Sequence, residues 1–274
     1  MKTILVPTDF SSVSKNAINY AVELAKLTKS KIILFHVYYV PVVTTDVMVI
    51  PPMKELEEGN MSVLKKIEKG IHKKFGKKIE IECKCKYGFP VDEINDFVNK
   101  NKVDLIVIGM HGASKIVEKL IGSTTTALIR KAKCPVLAIE RHVRFKLIKK
   151  IAFACDYHSI PNTSILVPLK ELTRIFKSHV NIINITPEGE KMPPVKKAIK
   201  GIRLEHALED INHTYYFAEN NDVLNGLNGF VKEKKMDMVV TIPRRHSLLK
   251  SIFNEPETKR IAFHTKVPLL ALHE

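Results

Sequence analysis

The sequence has no tryptophan, only four cysteines among 274 residues, and few aromatic residues, at 7%. Four cysteines in a chain this long do not make a disulfide scaffold. Cys83 and Cys85 stand two apart, which on a strand turns both to one face. That is not CxxC, and no His-x-Cys pattern completes a metal set, so buried or half-buried thiols are expected. No apolar run approaches the roughly 20 residues of a membrane helix. The opening MKTILVPTDF is broken by Pro7 and Asp9 too soon for an export signal. A reducing cytoplasm is therefore the expected setting, with no membrane partner. A Walker loop, Gly-Lys-Ser/Thr after four free positions, is missing, which argues against a P-loop ATPase.

Acidic residues are also scarce beside basic ones, leaving a formal charge of +15. Such an excess raises the question of nucleic acid. It is spread over both halves, with 25 basic against 15 acidic residues in 1–146 and 19 against 14 in 147–274. Much of it falls on expected exposed helix faces, as at Lys65, Lys66, Lys69, Lys73 and Lys74. The aromatic residues are not interleaved with these lysines, as a base-stacking platform needs. The charge reads as a solvated surface rather than a nucleic-acid site.

What is present is an alternation of apolar runs and amphipathic stretches. Thr3–Val6 reads as a buried strand, ended by Pro7-Thr8-Asp9. Ser11 or Ser12 caps a helix whose apolar positions, from Ala17 to Ala25, recur at helical spacing. A strand at Lys31–Val37 leads into a long proline-bearing connection, 38–52, read as a flap or contact segment. A helix over 53–75, a strand over 78–86 and a helix over 91–100 follow. The stretch from 104 to 139 then gives a strand ending on Gly109, a helix from Thr124 to Lys133 with Ser123 near its N-cap, and a strand at Cys134–Ile139. Strands alternating with helices predict a parallel sheet covered on both faces. Glycines at a strand end and the bare amides of a helix start together make a phosphate site.

The spacing Gly109-x2-Gly112-x9-Gly122-Ser123 resembles the nucleotide-binding signature of the universal stress protein family, in its ATP-binding branch. The resemblance implies two tandem Rossmann-like domains of the adenine nucleotide alpha hydrolase type, each a five-stranded parallel sheet in the order 3-2-1-4-5 with helices on both faces. It places Pro7-Thr8-Asp9 and Gly109-Met110-His111-Gly112 at one carboxyl edge. It implies phosphate contacts from Gly109, Gly112, Gly122, Ser123, Thr124 and Thr125, and a loop at Met110 and His111 beside the phosphates. Asp9, with Thr8 and the backbone of Pro7, would meet the nucleoside, and Val37 the adenine. Asp9 reads equally as a helix-capping acid, Ser123 as a cap, and His111 as an exposed histidine.

The second half repeats the first. MDMVVTIPRRHSLLKSIFNEPETKRIAFHTKVPLLAL runs beside VDLIVIGMHGASKIVEKLIGSTTTALIRKAKCPVLAI at a constant offset, so Asp237 falls on Asp104 and Pro268 on Pro135. Residues 149–154 echo 2–6, and Asp156 echoes Asp9. The expected domains are 1–143 and 147–274, parted in the charged stretch Arg141–Lys149. The glycines are lost: Gly109 becomes Ile242, Gly112 Arg245, Gly122 Glu255 and Ser123 Pro256. Proline has no amide to offer a phosphate, and Glu255 puts like charge at a helix start. One adenine nucleotide per chain is expected. ATP is the first choice; ADP and AMP suit the same cradle, and Mg2+ would accompany the phosphates.

No Ser–His–Asp order, carboxylate pair or metal cluster stands out. The chain reads as an ATP-binding stress-response protein acting through conformation or an unidentified protein partner. A slow ATPase or phosphotransferase is the alternative. The two halves are expected to pair as a pseudo-dimer through their last strands, 134–139 and 267–272, and the whole chain to be capable of forming a homodimer.

Overall fold

The computed structural model describes residues 1–39, 52–110, 123–155, 162–189, 204–243 and 266–273. The first half runs β1 (Thr3–Pro7), α1 (Ser12–Thr28), β2 (Lys31–Tyr38), α2 (Met53–Phe75), β3 (Ile81–Tyr87), α3 (Pro90–Lys100), β4 (Leu105–Met110), α4 (Ser123–Lys131) and β5 (Val136–Glu140). The second runs β6 (Lys150–Ala154), a 3-10 turn at Thr163–Leu166, α5 (Val167–Phe176), β7 (His179–Thr186), β8 (His213–Glu219), α6 (Val223–Glu233), β9 (Met238–Thr241) and β10 (Leu269–Ala271). All ten strands form one sheet, ordered β3-β2-β1-β4-β5-β10-β9-β6-β7-β8. Every neighbouring pair is parallel except β5 and β10, which run antiparallel with Leu137 opposite Leu270. The fold is α/β and Rossmann-like, with the expected order 3-2-1-4-5 in the first half.

Strand pleating sends successive side chains to opposite faces, and this chain uses both faces. Ile4 and Val6 enter one apolar layer with Ala17, Ile18 and Ala21 of α1 and Leu64 and Ile71 of α2. Leu5 enters the other, with Ile94 and Val98 of α3 and Leu128 and Ile129 of α4. The same two layers continue across the seam, α5 joining the first and α6 the second.

The repetition extends to single hydrogen bonds. Asp104 Oδ2 accepts from the amides of Lys2 and Thr3, at 2.6 and 2.8 Å. Asp237 Oδ2 accepts from those of Lys149 and Lys150, both at 2.9 Å. Lys29 closes α1 in the left-handed region at φ 55, and Lys177 closes α5 at φ 54. Thr8 N donates to Phe35 O, and Cys155 N to Ile183 O. His36 Nδ1 meets the Thr8 carbonyl as Asn184 Nδ2 meets that of Cys155. The joining segment is docked rather than loose: Val143 and Ile148 are buried, and Asn16 Nδ2 donates to the carbonyls of Glu140 and Val143.

Most element bounds fall within two residues of expectation, and α2 matches it. β3 starts at Ile81 rather than 78, because pairing with β2 begins at Ile32↔Ile81 after the turn at Gly76. β5 starts at Val136 because Pro135 has no amide for the ladder, although its carbonyl accepts from Ile106 N. The body of the connection, 40–51, lies outside the described residues. The expected thiols are there: burial and the nearby Glu68 carboxylate push Cys83 up to about 12, and burial pushes Cys134 up to about 12 and Cys85 to about 11. At neutral pH these remain unreactive protonated groups.

Candidate functional site

In the first half the winding of the sheet reverses between β1 and β4, where open α/β sheets leave a crevice at the carboxyl ends of the strands. A cleft of about 290 Å³ occupies this point. Pro7, Thr8 and Asp9 line it from the end of β1, Val37 from β2, Gly109 from β4, and Ser123, Thr124 and Thr125 from the first turn of α4. The structure thus brings together eight of the residues singled out in the sequence. Met110 is not among the lining residues; its side chain is buried in the layer beneath α3 and α4. His111, Gly112 and Gly122 lie outside the described residues.

The cleft is shaped by short local bonds. Thr8 Oγ1 donates to Ser14 Oγ at 3.0 Å and accepts from Phe10 N at 3.1 Å. Phe10 turns the chain at φ 67, which costs a non-glycine residue roughly 1 kcal/mol or more. Its ring stacks on His36, with centroids 4.2 Å apart. Ser11 caps α1 by accepting from Ser14 N at 3.2 Å. Asp9 Oδ1 accepts from Ser11 N at 3.0 Å, so the acid does tighten the helix start, yet its side chain is exposed at the cleft. Burial works against the Asp9 charge, but hydrogen bonds from the Ser11 hydroxyl and amide, and from Ser14, hold its pKa below the usual value.

Gly109 has a steric reason to be glycine. A Cβ there would lie 2.8 Å from Val13 Cγ1 and 3.0 Å from the Val13 backbone. The first turn of α1 can therefore press onto the end of β4. Thr125 fastens the opposite wall, its hydroxyl donating to the Gly109 carbonyl at 2.8 Å. That bond commits the Thr125 proton to the protein, so this side chain positions α4, while Ser123 is exposed and Thr124 half-exposed. The partial positive charge of the α4 start faces the cleft. No lysine or arginine is among the described lining residues.

Ser11, Val13, Ser14, Phe35, Pro90, Ile94 and Ile108 also line the cleft and were not foreseen as site residues. In the sequence they read as cap, helix start or core, and each also has that role. Only the period-2 relation of Phe35 to Val37 pointed to a shared face.

At the equivalent place in the second half Ile242 stands for Gly109, and its side chain is buried in the layer that contains α5. A 3-10 turn at Thr163–Leu166 precedes α5, and α-helix begins only at Val167. A buried isoleucine replaces the tight contact that Gly109 permits.

A model of the universal stress protein family matches residues 1–140, about half of the chain. The chain belongs to the universal stress protein family. A universal stress protein of Methanocaldococcus jannaschii is 34% identical over 148 residues, covering 51% of this chain and 82% of the relative. The universal stress protein YxiE of Bacillus subtilis is 32% identical over 144 residues, covering 50% of this chain and 97% of its own. Both relatives correspond to half of this chain. A universal stress protein from Archaeoglobus fulgidus, solved by crystallography, matches over 99% of this chain and 98% of its own, at a TM-score of 0.74 and 16% identity. That likeness shows a shared fold over the whole length.

Proposed function

We propose that this universal stress protein binds one adenine nucleotide, ATP in the first instance, in the cleft at the carboxyl edge of β1 and β4. The observation that carries this reading is the convergence of Pro7, Thr8, Asp9, Val37, Gly109 and Ser123–Thr125 on one cleft at the reversal of the sheet. A volume of about 290 Å³ is close to the lower end, ~300 Å³, of small-molecule pockets. The donor set suits a phosphate: the first turn of α4 lines the cleft, with Ser123 exposed and Thr124 half-exposed. Val37 and Pro90 wall the other end with apolar surface suited to a base.

Residues 1–143 and 147–274 are read as two domains, paired as a pseudo-dimer through β5 and β10. Nucleotide occupancy would be transmitted through α1 and α4, whose first turns line the cleft, to a partner protein or to the assembly state. Mg2+ would arrive with the phosphates; no group of three His, Cys, Asp or Glu side chains that could hold a metal occurs among the described residues. Calorimetric titration of the full chain with Mg-ATP tests the reading. Saturable binding that is lost in Gly122→Glu, with the circular dichroism melt retained, is the expected result. Gly122→Glu copies Glu255 of the second half, so a folded variant is expected; undiminished binding would overturn the assignment. Steady release of ADP, abolished by the same substitution, would instead favour the slow ATPase.

A further inference from the structure

Another face of α1, carrying Asn16, Asn19, Tyr20 and Glu23 at helical spacing, lines a second and larger cavity of about 620 Å³. Its remaining walls are Lys74 and Phe75 from the end of α2 and Arg144 and Phe145 from the segment joining the halves. Tyr20 is 2% exposed, and its hydroxyl is buried without a hydrogen-bond partner among the described residues. Leaving such a group unpaired costs on the order of 1–3 kcal/mol, so it calls for an explanation beyond packing. Burial, and then the charge of Asp237, push its pKa upward, which keeps it a proton donor.

The charges on this wall are unbalanced. Glu23 is paired with Lys26 at 2.9 Å. Arg144 gives one N–H to Asn16 Oδ1 at 2.5 Å and makes no ion pair among the described residues, leaving most of its donors unused. Lys74 likewise has no carboxylate partner among the described residues; its ammonium lies over the Phe75 ring, 4.8 Å from the centroid. The flat walls are Phe75, Phe145 and Tyr20, the last two meeting edge to face with centroids 5.0 Å apart. Two unmatched cations, an orphan hydroxyl and aromatic surface make a combined donor and stacking set.

We propose that this cavity is a second ligand site, taking a small aromatic oxyanion whose charged group meets Arg144 and Lys74 and accepts from the Tyr20 hydroxyl. The shared chemistry is a phosphate or carboxylate on a flat ring. The site is separate from the cleft but built on the same helix, since α1 offers Ser11, Val13 and Ser14 to one and Asn16 and Tyr20 to the other. It also touches the junction. Asn16 holds the carbonyls of Glu140 and Val143, and Phe145 meets Phe176 of α5 at 6.3 Å. A bound anion would brace the passage from β5 to β6.

Calorimetric titration of the full chain with phenyl phosphate and with benzoate, each with and without saturating ATP, tests this. The expected result is saturable binding of at least one probe that ATP does not displace; the stronger probe identifies the anion. Arg144→Gln should weaken that binding roughly 10- to 100-fold, the measure of a charged hydrogen bond. Lys74→Gln, on an exposed helix end, should weaken it severalfold without touching the junction. Tyr20→Phe should lower affinity while leaving the ligand-free melt unchanged or raised, because it removes an unpaired polar group. Absence of saturable binding, displacement by ATP, or full affinity in both charge variants would overturn the proposal.

Discussion

Gly109 shows how one position can have two separate reasons to be glycine. In the sequence it is a glycine at a strand end, needed so that bare backbone can approach a phosphate. The structure adds that α1 leaves no room for a Cβ, with Val13 at 2.8 Å. Gly109→Ala should therefore destabilise the protein even without nucleotide, by about 1–3 kcal/mol as overpacking does, and a thermal melt of the ligand-free protein measures it. The Asp104 and Asp237 clamps were legible only as aligned letters, since nothing in the sequence says which amides they receive. Burial opposes the Asp237 charge, but Lys146 at 2.5 Å and the amides of Lys150 and Lys149 outweigh it and hold the pKa below the usual aspartate value. A carboxylate with a depressed folded pKa stabilises the fold above its unfolded value and loses that contribution as pH falls through the folded one. Asp237→Asn should thus melt lower than the parent at pH 7, and its melting temperature should fall less between pH 7 and pH 3.

At the scale of elements, the alternation of buried runs and amphipathic stretches was enough to place the strands and helices of the first half. Period-2 and helical spacing are local properties, and so they survive in one sequence. Strand order is not local, and it came from the family resemblance, not from the residues. Phe35, Ile94 and Pro90 escaped as site residues because a core side chain that also walls a cleft carries no separate signal. The seam between β5 and β10 is the informative element. Leu137 and Leu270 face each other across it, both buried. Cutting the chain at residue 143 would leave Val136, Leu137 and Ala138 on an open apolar edge, which is a template for pairing with another chain. The pairing at this seam is antiparallel, so two copies of the same edge can satisfy one another about a two-fold axis. Residues 1–143 alone should therefore be dimeric by sedimentation equilibrium, and Leu137→Lys should make that fragment monomeric or insoluble. A soluble monomer of unaltered 1–143 would count against reading this segment as a domain that pairs through its last strand.

On the scale of the whole molecule, one sheet carries two copies of a design with different fates. The clamp, the left-handed helix end and the strand-end carbonyl bond are kept in both halves, because each ties secondary structure together whether or not a ligand is present. The features lost are those at the proposed phosphate site: glycine at 109, against which α1 also presses and which a buried Ile242 replaces, and Gly122-Ser123, replaced by Glu255-Pro256. A proline cannot donate an amide, and a carboxylate in the place of Gly122 repels a phosphate. The two defects are independent, so correcting one leaves the other. Calorimetry should give one ATP per full-length chain. Ile242→Gly should not raise that number, and it should destabilise the second half by leaving a cavity where a buried isoleucine packed, by roughly 2–5 kcal/mol. A stoichiometry of two in the parent chain would mean that the second half binds phosphate by a route other than a glycine cradle, and the reading of its lost glycines would fail with it.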